Sequence, residues 1–551
     1  MIIPTAQSRI NSEKDHVREI LRRNKAIVKS RFAYIRKIVF AYLIITLFFQ
    51  LVLAGFKMDF PAAGAAILVA AIGALTIGYL FRFGIANMYP VSSLIILTFC
   101  MGTQLIPIGG TLIEGKLITY NLEFPLRVFW WISVFQLIAV VGHIIYRNFP
   151  PCIAVRSSLT RLLTSGGFFM VPSINQLWVM GGIGLLPFFV GGFFSSIGAG
   201  FAIKILQGFG YFAYAPFIIP FYHLLYRNAQ RPTRKQLYQV GAYFVAIVLI
   251  GMAINSRGGI GDALMTVGFS VVFLSLLGKF DIKQIFKRHK LLAVTAGLFV
   301  LFPMSYLALA IQTARKDRGK ISQVDMIFST LATVAQPGKV FAMERFRVSE
   351  GKKFGWDEGY LSNVFLHRFA NVKLHDVTFL ASKNFGSDDI EEIRDFTEAR
   401  VLALIPGPLI RLAGLNFYKD YWTSFSLGDL IYHLSGRQLT AGRKSASQIV
   451  NGLLLFGPIL YPLVLLACVI VTYILFDSFT KIDMRKKYGF VGVVVSPLVI
   501  ISISEISRFF SDESIAAYAA LLLRYYIQYV VIYFVALHAT NFLSQRQTRK
   551  F

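Results

Sequence analysis

Apolar runs of about twenty residues recur along most of this chain, and that recurrence excludes a water-soluble fold before any other property is weighed. A hydrocarbon core about 30 Å thick takes roughly twenty residues of α-helix to cross, and inside it every backbone polar group has to be satisfied within the segment. Such runs lie near 38–56, 61–81, 91–109, 127–146, 176–195, 210–226, 238–255, 262–278 and 291–313, then after a long gap near 449–476, 489–507 and 519–543. The expectation is an all-α polytopic membrane protein with about twelve transmembrane helices in one bundle. Only 15% of the residues are charged against 56% hydrophobic, well short of the roughly 25% charged content of soluble domains.

The net charge of +28 would point to nucleic acid in a soluble protein, but here the placement of the charges matters more than their sum. Basic residues gather at alternate ends of successive runs, as cytoplasmic loops require. Arg147, Arg156 and Arg161 follow the fourth run, Arg227, Arg231, Arg234 and Lys235 the sixth, Lys279 to Lys290 the eighth and Lys481 to Lys487 the tenth. With Arg9 to Arg31 at one terminus and Arg546, Arg549 and Lys550 at the other, both termini are expected to face the cytoplasm. No nucleic-acid partner is expected. The first apolar run is followed by no small-residue cleavage site and reads as a retained helix.

This topology divides the chain into a basic cytoplasmic segment (1–37), helices one to nine (38–314), a large extracytoplasmic loop (315–446), helices ten to twelve (447–543) and a cytoplasmic tail (544–551). The loop carries mixed charge (Glu391, Glu392, Arg394, Asp395, Glu398, Arg400) and the punctuating runs Gln336-Pro337-Gly338 and Ile405-Pro406-Gly407-Pro408. Short helices packed over the mouth of the bundle are expected there. The glycine-rich stretch near 176–200 (Gly181, Gly182, Gly184, Gly191, Gly192, Gly198, Gly200) suits close helix approach.

Charges at or inside membrane helices are costly, which makes each one a functional candidate. Arg257 sits at the outward junction of the seventh and eighth helices, where it could meet an anion or simply snorkel. Arg315-Lys316-Asp317-Arg318-Gly319-Lys320 is a basic cluster on the side where positive charge is disfavoured, suited to a phosphate or diphosphate, or to pairing with loop carboxylates. His433, followed by Arg437 and Arg443, returns to the membrane before the tenth helix, and its imidazole is a candidate base, with His367 and His375 as competitors. Glu505 and Arg508 stand at i, i+3 with Arg524 in the next helix, a spacing that fits an ion pair. Asp388-Asp389 has no adjacent ligand at metal spacing, and Cys100, Cys152 and Cys468 read as buried structural thiols. With no P-loop, Rossmann fingerprint or nucleophile elbow, no metal, nucleotide or other cofactor is expected.

The order of these features resembles the Wzy-type O-antigen and oligosaccharide repeat-unit polymerases. Locally the resemblance rests on Ser256-Arg257-Gly258, on Ile405-Pro406-Gly407-Pro408 and on Ile449-Val450-Asn451-Gly452 leading to Phe456-Gly457. Arg257 with Gly268 also matches the family's spacing of an Arg and a Gly eleven positions apart, while Arg437 reaches Gln448 and Arg443 reaches Leu454. The resemblance implies a GT-C-like bundle in the bacterial inner membrane that polymerises undecaprenyl-diphosphate-linked repeat units for O-antigen, capsule or exopolysaccharide. It also implies a metal-independent glycosyltransferase, with a flippase and a chain-length regulator as partners. On that reading His433, Arg257, Arg315 and Arg318 serve the chemistry, and Arg437, Arg443, Arg411 and Lys320 hold the diphosphate. A flippase or exporter of the same lipid-linked glycan, or an O-antigen ligase, are the alternatives.

Overall fold

A computed structural model describes residues 6–548 apart from 83, 196–205, 227–229, 289, 319, 354, 416, 440–443, 484–491, 509 and 511–513. Among the described residues nine helices are long and apolar enough to cross a membrane. They are α1 (Ala6–Lys57, apolar from Ala26), α2 (Phe60–Leu80), α3 (Pro90–Ile113), α4 (Pro125–Asn148), α7 (Arg234–Ala253), α8 (Gly258–Leu276), α9 (Val294–Asp317), α15 (Gln448–Asp477) and α16 (Ile515–Thr540). Between them lie α5 (Pro150–Ser165), the shorter apolar α6 (Ile174–Ser195), α10 (Gln323–Val334), α11 (Pro337–Lys353), α12 (Lys373–Ala381), α13 (Ser387–Leu402) and α14 (Leu427–Leu434). A short antiparallel ribbon, β1 (Thr480–Asp483) with β2 (Gly492–Val495), follows α15, with Thr480 opposite Val495. The chain is an all-α polytopic membrane protein.

Three expected runs take irregular forms. The 176–195 run is α6, with Pro187 inside it. The 210–226 run is a 3₁₀ helix, Gly210–Phe221, containing Pro216 and Pro220. Two prolines within five residues remove amide donors and discourage the α ladder, and the 3₁₀ rise of about 2.0 Å per residue makes the segment longer than an α-helix of the same residues would be. It runs the length of α8: Tyr214 Oη donates to Asp262 near one end (3.4 Å), and Lys279 Nζ, just beyond the other, donates to the Leu225 carbonyl (2.9 Å).

The 489–507 run is broken into Pro497–Ile501 and Ile503–Ile506 at Ser502. Ser496 bonds through its amide to the Phe479 carbonyl beyond the C-terminal end of α15, and Ile515 bonds to Asn451 near its start. The described residues between Ser496 and Ile515 therefore retrace α15, with one end at each of its ends. Leu498, Val499, Ile500, Ile501, Ile503 and Ile506 are all buried, which is the condition under which broken backbone persists at membrane depth.

Lipid gives helices no hydrophobic reason to associate, so close packing and polar ties hold the bundle. At one end Asp477 of α15 accepts from the Val91 and Ser92 amides at the start of α3 (3.2 and 3.1 Å) and from Ser92 Oγ (2.6 Å). His143 of α4 bridges Ser92 Oγ (2.9 Å) and Tyr79 Oη of α2 (2.7 Å). Arg156 of α5 donates to the Asp477 carbonyl. Five helices meet in this one buried chain.

At the opposite end, carboxylates fasten the 315–446 segment to the bundle. Asp376 of α12 accepts the Glu123 and Phe124 amides at the start of α4 (2.9 and 2.8 Å) and pairs with Lys373 (2.8 Å). Glu114 accepts the Ser362 and Asn363 amides. Burial pushes the Glu114 carboxyl up, but hydrogen bonds from Lys116, Ser362 and Asn363 outweigh it and hold the group below the usual carboxylate range. The segment has its own small core in Trp356, Val377, Ile393, Phe396, Phe425, Leu430 and Ile431.

Candidate active site

A cavity of about 750 Å³ lies where the 315–446 segment meets the bundle. Its walls come from Arg400, Ala403 and Leu404 at the end of α13, from Lys419 and Thr423, from Glu505 and Arg508, and from Tyr211. The face of α16 from Ala516 to Tyr529 completes it. Four cations and one carboxylate thus border one space.

Each is positioned by its own surroundings. Arg400 donates to the Trp422 carbonyl (3.2 Å) and lies over the Phe396 ring (5.6 Å), which is fixed in turn against Phe425. Lys419 Nζ donates to the Ile405 carbonyl (2.9 Å). Arg508 is bonded to Asp262 of α8, and its other terminal nitrogen stands 3.9 Å from Glu505 Oε1. Arg508 keeps 45% of its side chain accessible and Glu505 38%, whereas Asp262 keeps 15%. Asp262 is therefore the anchor, and the other two face the open space.

Arg524 belongs to a π-helical turn, Leu521–Tyr525, within α16. Such a turn inserts one residue into the helical register and is frequent at functional sites. Arg524 lies over Tyr525 (5.9 Å) and, among the described residues, forms an ion pair with no carboxylate. A guanidinium placed at the wall of a membrane protein's cavity is suited to an anionic ligand.

No family model, curated protein or solved structure matches the chain.

The described residues given catalytic or diphosphate-binding roles on the resemblance fall elsewhere around the same end of the bundle. Arg257 precedes α8 and donates to Gln312 Oε1 of α9 (2.6 Å), a link between two helices. Gly268, its spacing partner, lies inside membrane helix α8 with open space where a Cβ would stand, so no loop carries the pair. Arg315 is within electrostatic reach of Arg318 and Arg368, and all three are exposed with Lys320 nearby. His433 is exposed at the end of α14, its Nδ1 2.8 Å from the Arg437 carbonyl. Arg437 donates to the Gly355 carbonyl (3.1 Å) and covers Tyr432. Arg411 is exposed on a short helical turn, Gly407–Leu412, and Arg443 lies outside the described residues. None of the described ones among these lines the cavity.

Of the competing histidines, His375 is buried with Nδ1 2.6 Å from Ser447 Oγ, and His367 Nδ1 accepts the Tyr360 amide (3.3 Å). The i, i+3 pairing of Glu505 with Arg508 was legible, and Arg524 stood out as a charge inside an apolar run. Arg400 and Lys419 carry no local signal, because a mixed-charge loop offers many such cations. Among the described residues no three His, Cys, Asp or Glu side chains gather as metal ligands.

Proposed function

We propose that this protein is a glycosyltransferase that polymerises polyprenyl-diphosphate-linked oligosaccharide repeat units on the outer face of a bacterial cytoplasmic membrane. The observation that carries the reading is the cavity bordered by Arg400, Lys419, Arg508 and Arg524, at the junction of membrane helices and the large outward segment. A lipid-linked diphosphate has its charge at that depth, with its chain in lipid and its sugar in water.

In the reaction, an acceptor sugar hydroxyl attacks the anomeric carbon of the donor, and the bond from that carbon to the phosphate oxygen breaks. The diphosphate leaves with the electron pair. Arg524 and Arg508 stabilise the charge that builds on it, an effect strongest away from bulk water. The hydroxyl proton passes to Glu505, the carboxylate that faces the cavity, in place of His433. On this reading the chain crosses the membrane twelve times, with 210–225 and 496–515 as buried irregular crossings and both termini in the cytoplasm. A flippase and a chain-length regulator are the expected partners.

The test is incubation of the purified protein in nanodiscs with a lipid-diphosphate-linked repeat unit from its host, without nucleotide or added metal. A ladder of glycan lengths that Arg524→Ala abolishes supports the reading. Translocation of the same lipid across proteoliposomes without a ladder replaces it with a flippase, and transfer to lipid A core alone with a ligase.

A further inference from the structure

The helical hairpin α10–α11 opens the 315–446 segment, and its contacts run down the membrane-embedded flank of α9 instead of over the bundle mouth. Near the top of α10, Asn255 Nδ2 lies 3.0 Å from the Ile311 carbonyl and 3.5 Å from Met326 Sδ, and Ser329 Oγ donates to Asp317 (3.0 Å). At the bottom, Tyr306 Oη donates to the Val334 carbonyl (2.6 Å). Helical side chains tilt toward the N-terminus, so the Tyr306 hydroxyl sits deeper along α9 than its own Cα. Tyr306 precedes Asp317 by eleven residues, roughly 16 Å along α9 at 1.5 Å per residue, so its bond to Val334 sets the end of α10 well below the end of α9. The chain then turns at Gln336-Pro337 and climbs back: Val340 is buried against Ala308, Leu309 and Ala310, and Phe341 meets the Tyr306 ring (5.9 Å).

The faces turned away from the bundle are apolar. Val324, Phe328 and Leu331 form one stripe along α10 that Ile321 begins just before it, 39–64% exposed, and Phe341 and Phe346 of α11 are 51% and 54% exposed. They continue the exposed apolar surfaces of the spans beside them, Phe299 and Phe302 on α9 and Val245 and Leu249 on α7. Charge on the hairpin is confined to Asp325 in the first turn of α10, where it accepts from Ser322 Oγ (2.7 Å), to Lys339 near the turn, whose four-carbon stem lets the ammonium snorkel, and to Glu344 and Arg345 as α11 rises.

We infer that residues 321–346 form a re-entrant hairpin immersed in the outer leaflet, with lipid acyl chains as the occupant of its exposed face. Both its helices satisfy their own backbone bonds, and its turn packs on α9, which are the conditions for chain reversal at membrane depth. This inference does not depend on the proposed reaction.

The unmodified protein in nanodiscs containing a phosphatidylcholine with a diazirine on its acyl chain, irradiated and digested, gives the first readout. Lipid adducts on the 321–346 peptides at a yield comparable with those of α7 are expected. Absence of adducts there, with α7 labelled, overturns the proposal. In a Cys100→Ser/Cys152→Ser/Cys468→Ser background, nitroxides at Phe328→Cys and Gln336→Cys should collide more often with oxygen than with a water-soluble nickel chelate. The reverse order places the hairpin in water, and protection from both reagents assigns the face to a protein partner; either result overturns it.

Discussion

Arg508 reaches across 246 positions of sequence to bond Asp262, and the same guanidinium stands 3.9 Å from Glu505. One cation thus satisfies an anchor carboxylate on α8 and restrains another that faces the cavity.

Arg508→Gln removes the cation shared by two carboxylates, and the half-accessible setting limits the cost to about 1–3 kcal/mol of stability. Adding Asp262→Asn should recover most of that loss, read as the thermal midpoint in detergent. If the proposed reaction holds, glycan transfer should stay down by about 100-fold in both variants, because the guanidinium proposed to face the leaving diphosphate is missing in each. Recovery of transfer in the double variant would assign Arg508 a purely structural role.

Gly184 of α6 lies where an added Cβ would come within 1.9 Å of the Ala213 amide nitrogen. The clash is with backbone of the 3₁₀ segment and cannot be relieved by a rotamer change. Gly184→Ala should cost about 1–3 kcal/mol or more, while Gly182→Ala, with nothing within 4 Å, should be nearly neutral. Equal thermal midpoints for the two variants would contradict this packing.

His375 gives the fold an acid-sensitive joint. Burial disfavours its imidazolium and brings its pKa from 6.5 down to about 4 in the folded chain. Between those values the unfolded chain binds a proton that the folded chain refuses. Stability is therefore complete above about pH 6.5 and declines as pH falls toward 4, by about 3 kcal/mol in all. A thermal midpoint measured against pH should show this slope, and His375→Asn should flatten it.

Asp376 holds two amides of another segment and a buried lysine. Asp376→Ala leaves Lys373 buried without its counter-charge and should cost about 3–5 kcal/mol. The expected sign is faster proteolysis within 383–387, with Asp388→Ala, an exposed acid, unchanged.

Much of the bundle is legible in the sequence, because nine runs have both the length and the uniform apolarity that a regular spanning helix requires. Pro216 and Pro220 are visible, but a hydropathy window cannot tell a 3₁₀ helix from an α-helix. Gln336-Pro337-Gly338 reads as loop punctuation, and only contacts with Tyr306 and Ala308 reveal it as the turn of a hairpin. The candidate site is less legible. Asp262 looks like a charge at a helix end until Arg508 is folded against it, and Arg400 is one cation among many in a polar stretch. Local rules read i, i+3 pairs such as Glu505–Arg508 and are silent about partners hundreds of residues away.

On the proposed twelve-crossing topology, segment 210–225 and the described residues of 496–515 have a consequence for how the chain is made. Released singly into a bilayer as it emerges, neither could stand alone, since prolines and a break at Ser502 leave amide and carbonyl groups that lipid cannot satisfy. The earlier segment must wait for α8 and the later one must fold back along a finished α15. On that topology, biogenesis of this protein is a matter of assembly order, with its irregular stretches of chain threaded into place by neighbours already in the membrane.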